Sequence, residues 1–378
     1  MTSLAVAVFG GTFDPVHLGH VRMAENVFKE FNPDKLIVLP NGNPPHKADK
    51  DKTAFEHRYN MLVSAFGDME KVEVSDYEAD TSKHSYSVDT MRYFRKKYGK
   101  DTFFVLGADS LLTIDQWYKY EELLSENTFV VFRRKGDSEL LALAQRYREL
   151  YGTKIRIASM PYEDISSTDI RRDTGGIWDR ALPDSVKEYI ISNGLYTGYD
   201  SIAQYLKTVL KKSRFEHTMR VAHTARHLAD VHGEDRDKAY LAGLLHDCAK
   251  GLSEEELRSR MDEYGIIPDE VTKASPQIWH SFVGAYEARK LWGVDDDIFD
   301  AIYYHTTGKA DMTRLCAIVY LADAIEPGRS YANVEFLREI AETSLEYAVK
   351  EYTKMSVEFV ETRGLKVHPD TLAILNRR

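Results

Sequence analysis

The strongest constraint in this 378-residue sequence is a change of hydrophobic rhythm partway along it. From residue 1 to about 196, short apolar runs ("LAVAVF", "DKLIVL", "VEVS", "TFFVLG", "TFVVFRR", "KIRIASM") alternate with amphipathic stretches such as "VRMAENVFKEF" and "SVDTMRYFRKKY". Runs of that kind read as strands largely buried on both faces. Their alternation with helices predicts βαβ units, and so a parallel sheet covered by helices on both sides. After "SVKEYIISNGLYTGYDS" the strand-like runs stop, and "HTMRVAHTARHLADVH", "KAYLAGLLHDCAKG", "SFVGAYEARKLWG" and "MTRLCAIVYLADAIEPG" all carry helical spacing. The second half therefore reads as an all-α bundle. The turn formers of "NGLYTGYDS" place the boundary near Gly198, giving domains 1–197 and 198–378. A chain of this length exceeds what one hydrophobic core usually organises.

Composition removes several function classes. A formal net charge of −10 repels a phosphate polymer, which argues against a nucleic-acid coat protein. Two cysteines, Cys248 and Cys316, make no disulfide framework, and the N-terminus lacks the pattern of a secretory signal. No stretch is apolar for the length of a bilayer. The expectation is a cytoplasmic enzyme without nucleic-acid or membrane partners, with a homo-oligomer left open.

In "VFGGTFDPVHLGH", residues 8 to 20, a strand ends at Phe9, Gly10 and Gly11 permit a tight turn with close backbone approach, and a helix starts around Leu18 or Gly19. A helix start attracts anions, and His17 and His20 beside it can donate N–H groups to phosphate oxygens. The segment resembles the signature of the nucleotidyltransferase superfamily, whose HxGH element is matched by His17, Leu18, Gly19 and His20. The superfamily's second signature is matched by "SSTDIR", residues 166 to 171. The resemblance implies a Rossmann-like domain in which His17 and His20 are catalytic. Gly10, Gly11, Thr12, Phe13, Ser166, Ser167, Thr168 and Arg171 would hold the ATP phosphates with Mg²⁺.

Over residues 1 to 196 the chain is similar to bacterial nicotinate mononucleotide adenylyltransferases, on "PNGNPPHK", "RYNML", "FVLGADSL" and "QWYKYEELL". This likeness assigns Asn43, Lys47, Asp109, Trp117, Tyr118 and Arg134 to the mononucleotide. Trp117 and Tyr118 offer an aromatic face to a pyridine ring, and Lys47 suits phosphate. Arg134 lies in "RKG" where the family has Arg-Pro-Gly. The implied reaction joins ATP and nicotinate mononucleotide, releasing pyrophosphate. Nicotinamide mononucleotide and phosphopantetheine are alternative acceptors.

The helical half places His246 next to Asp247 at the end of an apolar helix, where burial is costly unless metal or hydrogen bonds compensate. Together with "RFEHTMRVA", "WHSFVGAYEA", "AIYYHTTG" and "VYLADAIEPGR", this order resembles the HD-domain metal-dependent phosphohydrolases. By that resemblance His217, His246, Asp247 and Asp323 are the metal ligands. His280 and His305 either hold a second ion or touch phosphate. Imidazole and carboxylate suit Fe²⁺, Mn²⁺ or another divalent transition metal. His223 and His227, one helical turn apart, read instead as a plain helix face. The nearest HD likeness, over residues 200 to 350, is to symmetrical diadenosine tetraphosphate hydrolases, which puts Lys250, Thr306 and Arg329 toward the polyphosphate. The whole chain is thus expected to be a bifunctional enzyme, acting on ATP, nicotinate mononucleotide and dinucleoside polyphosphates. The alternative is that the HD half is another nucleotide phosphohydrolase or a nucleotide-sensing module.

Overall fold

A computed structural model describes residues 4–43, 52–133, 138–159, 165–173 and 177–376. The chain divides into two compact units between Ile190 and Ile191. The division falls inside the helix Asp184–Asn193, and the first helix wholly within the second unit is Asp200–Val209.

The first unit is built on six parallel strands, β1 (Val6–Gly11), β2 (Lys35–Pro40), β3 (Val72–Val74), β4 (Thr102–Gly107), β5 (Thr128–Phe132) and β6 (Lys154–Ile157), each falling in a run expected from the sequence. Their order is β3-β2-β1-β4-β5-β6, with Val8 paired to Ile37 on one side and Phe104 on the other. Chain order therefore reverses between β1 and β4. In such sheets the crevice beyond the carboxyl ends of the two strands is where a ligand binds. Burial on both faces holds for the inner strands: Val6, Ala7 and Val8 are 0% exposed. It fails at the rim, where β6 alternates exposed Lys154 and Arg156 with buried Ile155. Charged residues on an edge strand discourage pairing with another chain.

The second unit is helical throughout its described residues, as expected. Its central helix, Arg314–Ile325, buries residues around nearly its whole circumference, from Leu315 to Ile325. A helix apolar on every side belongs in the middle of a bundle. Its N-terminus is capped by Thr313, whose hydroxyl accepts from the Cys316 N–H at 3.2 Å. Helices Lys212–His232 and Arg236–Leu245 approach closely because position 243 is glycine. A Cβ there would lie 2.8 Å from Ala222 Cα. The charged C-terminal stretch forms helices Leu345–Thr362 and Pro369–Leu375.

Candidate active sites

In the first unit the chain leaves β1 through Gly10 and Gly11 and turns at Phe13, whose φ of 50° is left-handed. Gly11 is required by that turn: a Cβ on it would stand 2.8 Å from the Phe13 ring. His17 then caps the helix Leu18–Phe31, which starts at the first of the two expected positions. The two imidazoles stack, with centroids 3.7 Å apart. The His17 backbone N–H donates to His20 Nδ1 at 3.2 Å. Burial, and then the neighbouring His17, push the His20 pKa well below its usual value, so the ring is neutral. With Nδ1 occupied as an acceptor, the single proton of the neutral ring is on Nε2, which becomes a donor.

The second motif folds directly onto this loop. Ser166 Oγ accepts from the Thr168 N–H at 3.2 Å, opening the short helix Ser167–Asp173. Ser167 Oγ donates to the Pro15 carbonyl at 2.9 Å, and Arg171 donates to the Asp14 carbonyl while standing 3.9 Å from its carboxylate. A cleft of about 710 Å³ results, lined by Gly10, Gly11, Thr12, Phe13, His17 and His20 from the first motif. Ser166, Ser167, Thr168, Arg171 and Asp109 line the same cleft.

The remaining expected residues are more scattered. Asn43 lines an adjoining 510 Å³ cavity with its amide committed to the Thr81 carbonyl at 3.2 Å. Trp117 packs against the apolar core and lines a 70 Å³ recess behind Gly10 to Thr12. Tyr118 is 49% exposed and lies against Tyr86, with centroids 4.2 Å apart. Lys47 and Arg134 lie outside the described residues. Sequence reasoning missed Lys52, which lines both larger cavities, and Arg58, which is wholly buried. Arg58 donates to the Thr53 and Thr12 carbonyls at 2.9 Å each and so ties the two cavity walls together. A signal for it existed: Arg58 shares the buried face of helix Phe55–Phe66 with Met61 and Leu62.

In the second unit all six expected ligand candidates converge. His217 comes from helix Lys212–His232, His246 and Asp247 from the turn after Arg236–Leu245, and His280 from Trp279–Trp292. His305 follows Asp296–Tyr303, and Asp323 is on the central helix. Three overlapping groups of candidate ligand atoms lie within 4.8 Å of one another: His217, His246 and Asp247; His246, His305 and Asp323; Asp247, His280 and His305. His217 Nε2 is 3.0 Å from Asp323 Oδ1, His246 Nε2 is 3.3 Å from Asp247 Oδ2, and His280 Nε2 is 3.0 Å from Asp247 Oδ1.

The back of each ring decides what the front can do. His217 Nδ1 lies 3.0 Å from Glu326 Oε1, His246 Nδ1 2.7 Å from the Gly243 carbonyl, and His305 Nδ1 2.7 Å from the Ile302 carbonyl. These partners only accept, so each Nδ1 carries a proton, and in the neutral ring it is Nε2 that turns a lone pair to the centre. The Nε2 atoms of His217 and His246 are buried and have no hydrogen-bond partner of good geometry among the described residues. An imidazole nitrogen facing a carboxylate oxygen across about 3 Å in a buried site is stable only with a proton or a metal cation between them. The donor set, imidazoles with two carboxylates, fits a divalent transition metal.

Around this centre Lys250 Nζ lies against the His280 ring, 3.0 Å from Nδ1. Thr306 Oγ1 is 2.9 Å from Ser281 Oγ, and Arg329 donates from Nε to the Asp323 carbonyl at 2.8 Å. Arg214 and Glu326 were missed by the sequence reading; Arg214 Nη1 donates to Asp247 Oδ2 at 2.9 Å. His223 sits edge-on to Tyr240 and exposed His227 pairs with Glu342, so neither reaches the cluster. Cys248 Sγ lies 3.4 Å from the Gly284 carbonyl, and burial pushes its thiol pKa up.

Fold and sites together define the class: a nucleotidyltransferase α/β domain joined to a metal-binding helical hydrolase domain. Residues 8–173 match the family described as Cytidylyltransferase-like, and residues 214–328 match the HD domain. The chain is 31% identical over 334 residues to a Mycoplasma genitalium protein named "Probable nicotinate-nucleotide adenylyltransferase/Ap4A hydrolase", covering 86% of this chain and 88% of that one. A Mycoplasma pneumoniae protein of the same name is 27% identical, covering 93% and 96%. A solved Clostridium acetobutylicum structure, titled "predicted HD superfamily hydrolase involved in NAD metabolism", is 35% identical. It covers 47% of this chain and 95% of its own, at a TM-score of 0.45. The chain belongs to the family of two-part enzymes in which an adenylyltransferase is followed by an HD-domain hydrolase. Among its described residues no helix is long and apolar enough to cross a membrane.

Proposed function

We propose that the chain is a bifunctional cytoplasmic enzyme of pyridine nucleotide biosynthesis. Domain 1–197 would transfer AMP from ATP to nicotinate mononucleotide, and domain 198–378 would cleave diadenosine tetraphosphate into two ADP. The observation that supports the reading is the direct packing of "SSTDIR" on the His17–His20 loop around one cleft, together with the gathering of His217, His246, Asp247, His280, His305 and Asp323 in the second unit.

In the transferase, a phosphate oxygen of the mononucleotide attacks the α-phosphorus of ATP, the bond from that phosphorus to the bridging oxygen breaks, and pyrophosphate leaves. Mg²⁺ arrives with the ATP. His20 donates from Nε2 to the phosphoryl oxygens as charge develops there, with His17 stacked beside it. Gly10, Gly11, Thr12 and Phe13 bring the backbone close. Ser166, Ser167, Thr168 and Arg171 take the triphosphate at the second helix start. Asn43, Lys47, Asp109, Trp117, Tyr118 and Arg134 would hold the mononucleotide, the 70 Å³ recess at Trp117 being one wall of its site.

In the hydrolase, His217, His246, Asp247 and Asp323 would hold the metal, Fe²⁺ or Mn²⁺, with His280 and His305 completing a second position or touching phosphate. When bound, such an ion lowers the pKa of water and polarises phosphoryl oxygens. Lys250, Thr306 and Arg329 would grip the chain of phosphates. Water adds to one of the two inner phosphorus atoms, the central P–O bond breaks, and two ADP are released. The net charge of −10 supports small-molecule substrates over nucleic acid.

Product identification tests both halves. The purified chain is given ATP with nicotinate mononucleotide, nicotinamide mononucleotide or phosphopantetheine, and separately diadenosine tetraphosphate with Mn²⁺ or anaerobic Fe²⁺. Pyrophosphate release preferentially with the nicotinate acceptor, and ADP as sole nucleotide product, are expected. Preference for another acceptor, or AMP plus ATP as products, sinks the corresponding half.

A further inference from the structure

Glu326 is 2% exposed and follows directly on the central helix that carries Asp323. A carboxylate buried that deeply is tolerated only if its oxygens are satisfied. Three donors converge on it. His217 Nδ1–H reaches Oε1 at 3.0 Å, Arg220 Nε reaches Oε2 at 2.6 Å, and the Gly328 N–H reaches Oε2 at 2.5 Å. His217 and Arg220 are three residues apart on one helix and so share a face. One carboxylate therefore clamps that face to the end of the central helix.

The backbone around Glu326 is equally committed. Its carbonyl accepts from the Arg329 N–H at 2.9 Å and from Arg338 Nη2 at 2.8 Å, and Arg338 also donates to the Ile325 and Arg329 carbonyls. The turn is thereby held in the shape that returns Arg329 to the Asp323 carbonyl. Glycine at 328 is part of this: a Cβ there would stand 2.6 Å from the Arg220 guanidinium.

We propose that Glu326 is the positioning residue of the metal centre, fixing the tautomer and angle of His217 through Oε1 while its turn aims Arg329. This rests on the proposed metal role of His217. Arg220 supplies the charge that lets Glu326 stay buried as a carboxylate, so an acceptor stands behind His217 Nδ1 and Nε2 is turned to the centre. An outer carboxylate on a ligating imidazole raises its basicity and restricts its swing.

The test uses the full chain and Mn²⁺ alone, with affinity measured by titration, so that no hydrolytic activity is needed. Glu326→Ala is expected to weaken Mn²⁺ binding about 10- to 100-fold. Glu326→Gln keeps a single acceptor oxygen: turned to His217, it sets its NH₂ against the Arg220 and Gly328 donors, so only part of that loss should be recovered. Adenylyl transfer by the same molecules should be unchanged. If Glu326→Ala fails to fold, as judged by helical circular dichroism, Glu326→Asp takes its place. It keeps a charge for Arg220 but draws the oxygen back from His217, with a loss of roughly tenfold expected. Wild-type Mn²⁺ affinity in a folded Ala or Asp variant overturns the proposal. A wild-type chain that binds Mn²⁺ but leaves diadenosine tetraphosphate intact would sink the substrate assignment and leave this proposal standing.

Discussion

The two sites use histidine in opposite ways. In the first unit His20 receives a backbone N–H at Nδ1, so its Nε2 is a proton donor, suited to the oxygens of a phosphoryl group. In the second, His217, His246 and His305 give away the Nδ1 proton to an acceptor behind them, so Nε2 is a lone pair, suited to a metal. In the proposed reading the same side chain serves as an electrophilic helper or as a ligand according to what stands at its back. A loop ahead of a helix supplies N–H groups, whereas helix ends in a bundle core supply carbonyls. One site is an open cleft of about 710 Å³, the other a buried knot of side chains.

If that contrast is right, the sites should fail independently and for different reasons. The largest effect is expected from Asp247→Ala, which removes the carboxylate touched by His217, His246, His280 and His305. Loss of bound metal and a fall in hydrolysis of more than about 100-fold are expected, since even outer partners of a metal ligand cost 10- to 100-fold. Transferase rate should stay at the wild-type value. Metal analysis and both assays on one preparation check this, and parallel loss of both activities would break the comparison.

His20→Ala should come next. Removing a single donor to developing phosphoryl charge lowers kcat about 10²- to 10³-fold, with metal content and hydrolysis unaffected. His20→Gln, which keeps an N–H donor, should retain more activity than Ala. Equal losses would show that donation from Nε2 is not what His20 contributes.

A packing change sharpens the contrast from another side. Gly243→Val drives a branched side chain into the Ala222 backbone on the facing helix, which also carries His217. A destabilisation of about 1–3 kcal/mol is expected from overpacking of this kind. It should appear as a lower melting temperature and weaker metal retention, with the transferase unaffected.

The smallest effect concerns pH. Burial, then His17, lower the His20 pKa below 6.5, so the unfolded chain takes up a proton that the folded chain resists. The stabilisation is complete above about pH 6.5 and is lost progressively as pH falls below it, because the unfolded state then binds more protons. His20→Gln should therefore flatten the dependence of the transferase unit's melting temperature on pH between 6.5 and 5. An unchanged slope would mean that His20 is not held neutral by its surroundings.

The division of labour was legible in the hydrophobic rhythm, since all six strands and the helical second half lie where the periodicity puts them. The ligand candidates came from the ordered likeness to HD-domain proteins around the His246–Asp247 pair, and the structure brings all six together. Three things were not legible. Edge strand β6 departs from two-faced burial because its position at the rim is a property of the sheet, not of the run "KIRI". Arg58 and Arg214 looked like ordinary charges, and only the structure shows one wholly buried among carbonyls and the other on Asp247. Glu326 stood in plain view within "EPGR", but its partners His217 and Arg220 are more than a hundred residues away in the chain.

By itself, then, the sequence determined which segments become strands or helices and which residue types could do chemistry, because periodicity and local spacing act over a few residues. For His20 and His305 the atom behind the ring is only three residues away, the His17 N–H and the Ile302 carbonyl. Only the tertiary structure decided the direction of His217, because the Glu326 carboxylate behind it lies 109 residues along the chain. Close packing sets which such atom is there, through the glycine at 243 that lets two helices meet and the turn at 328 that leaves room for Arg220.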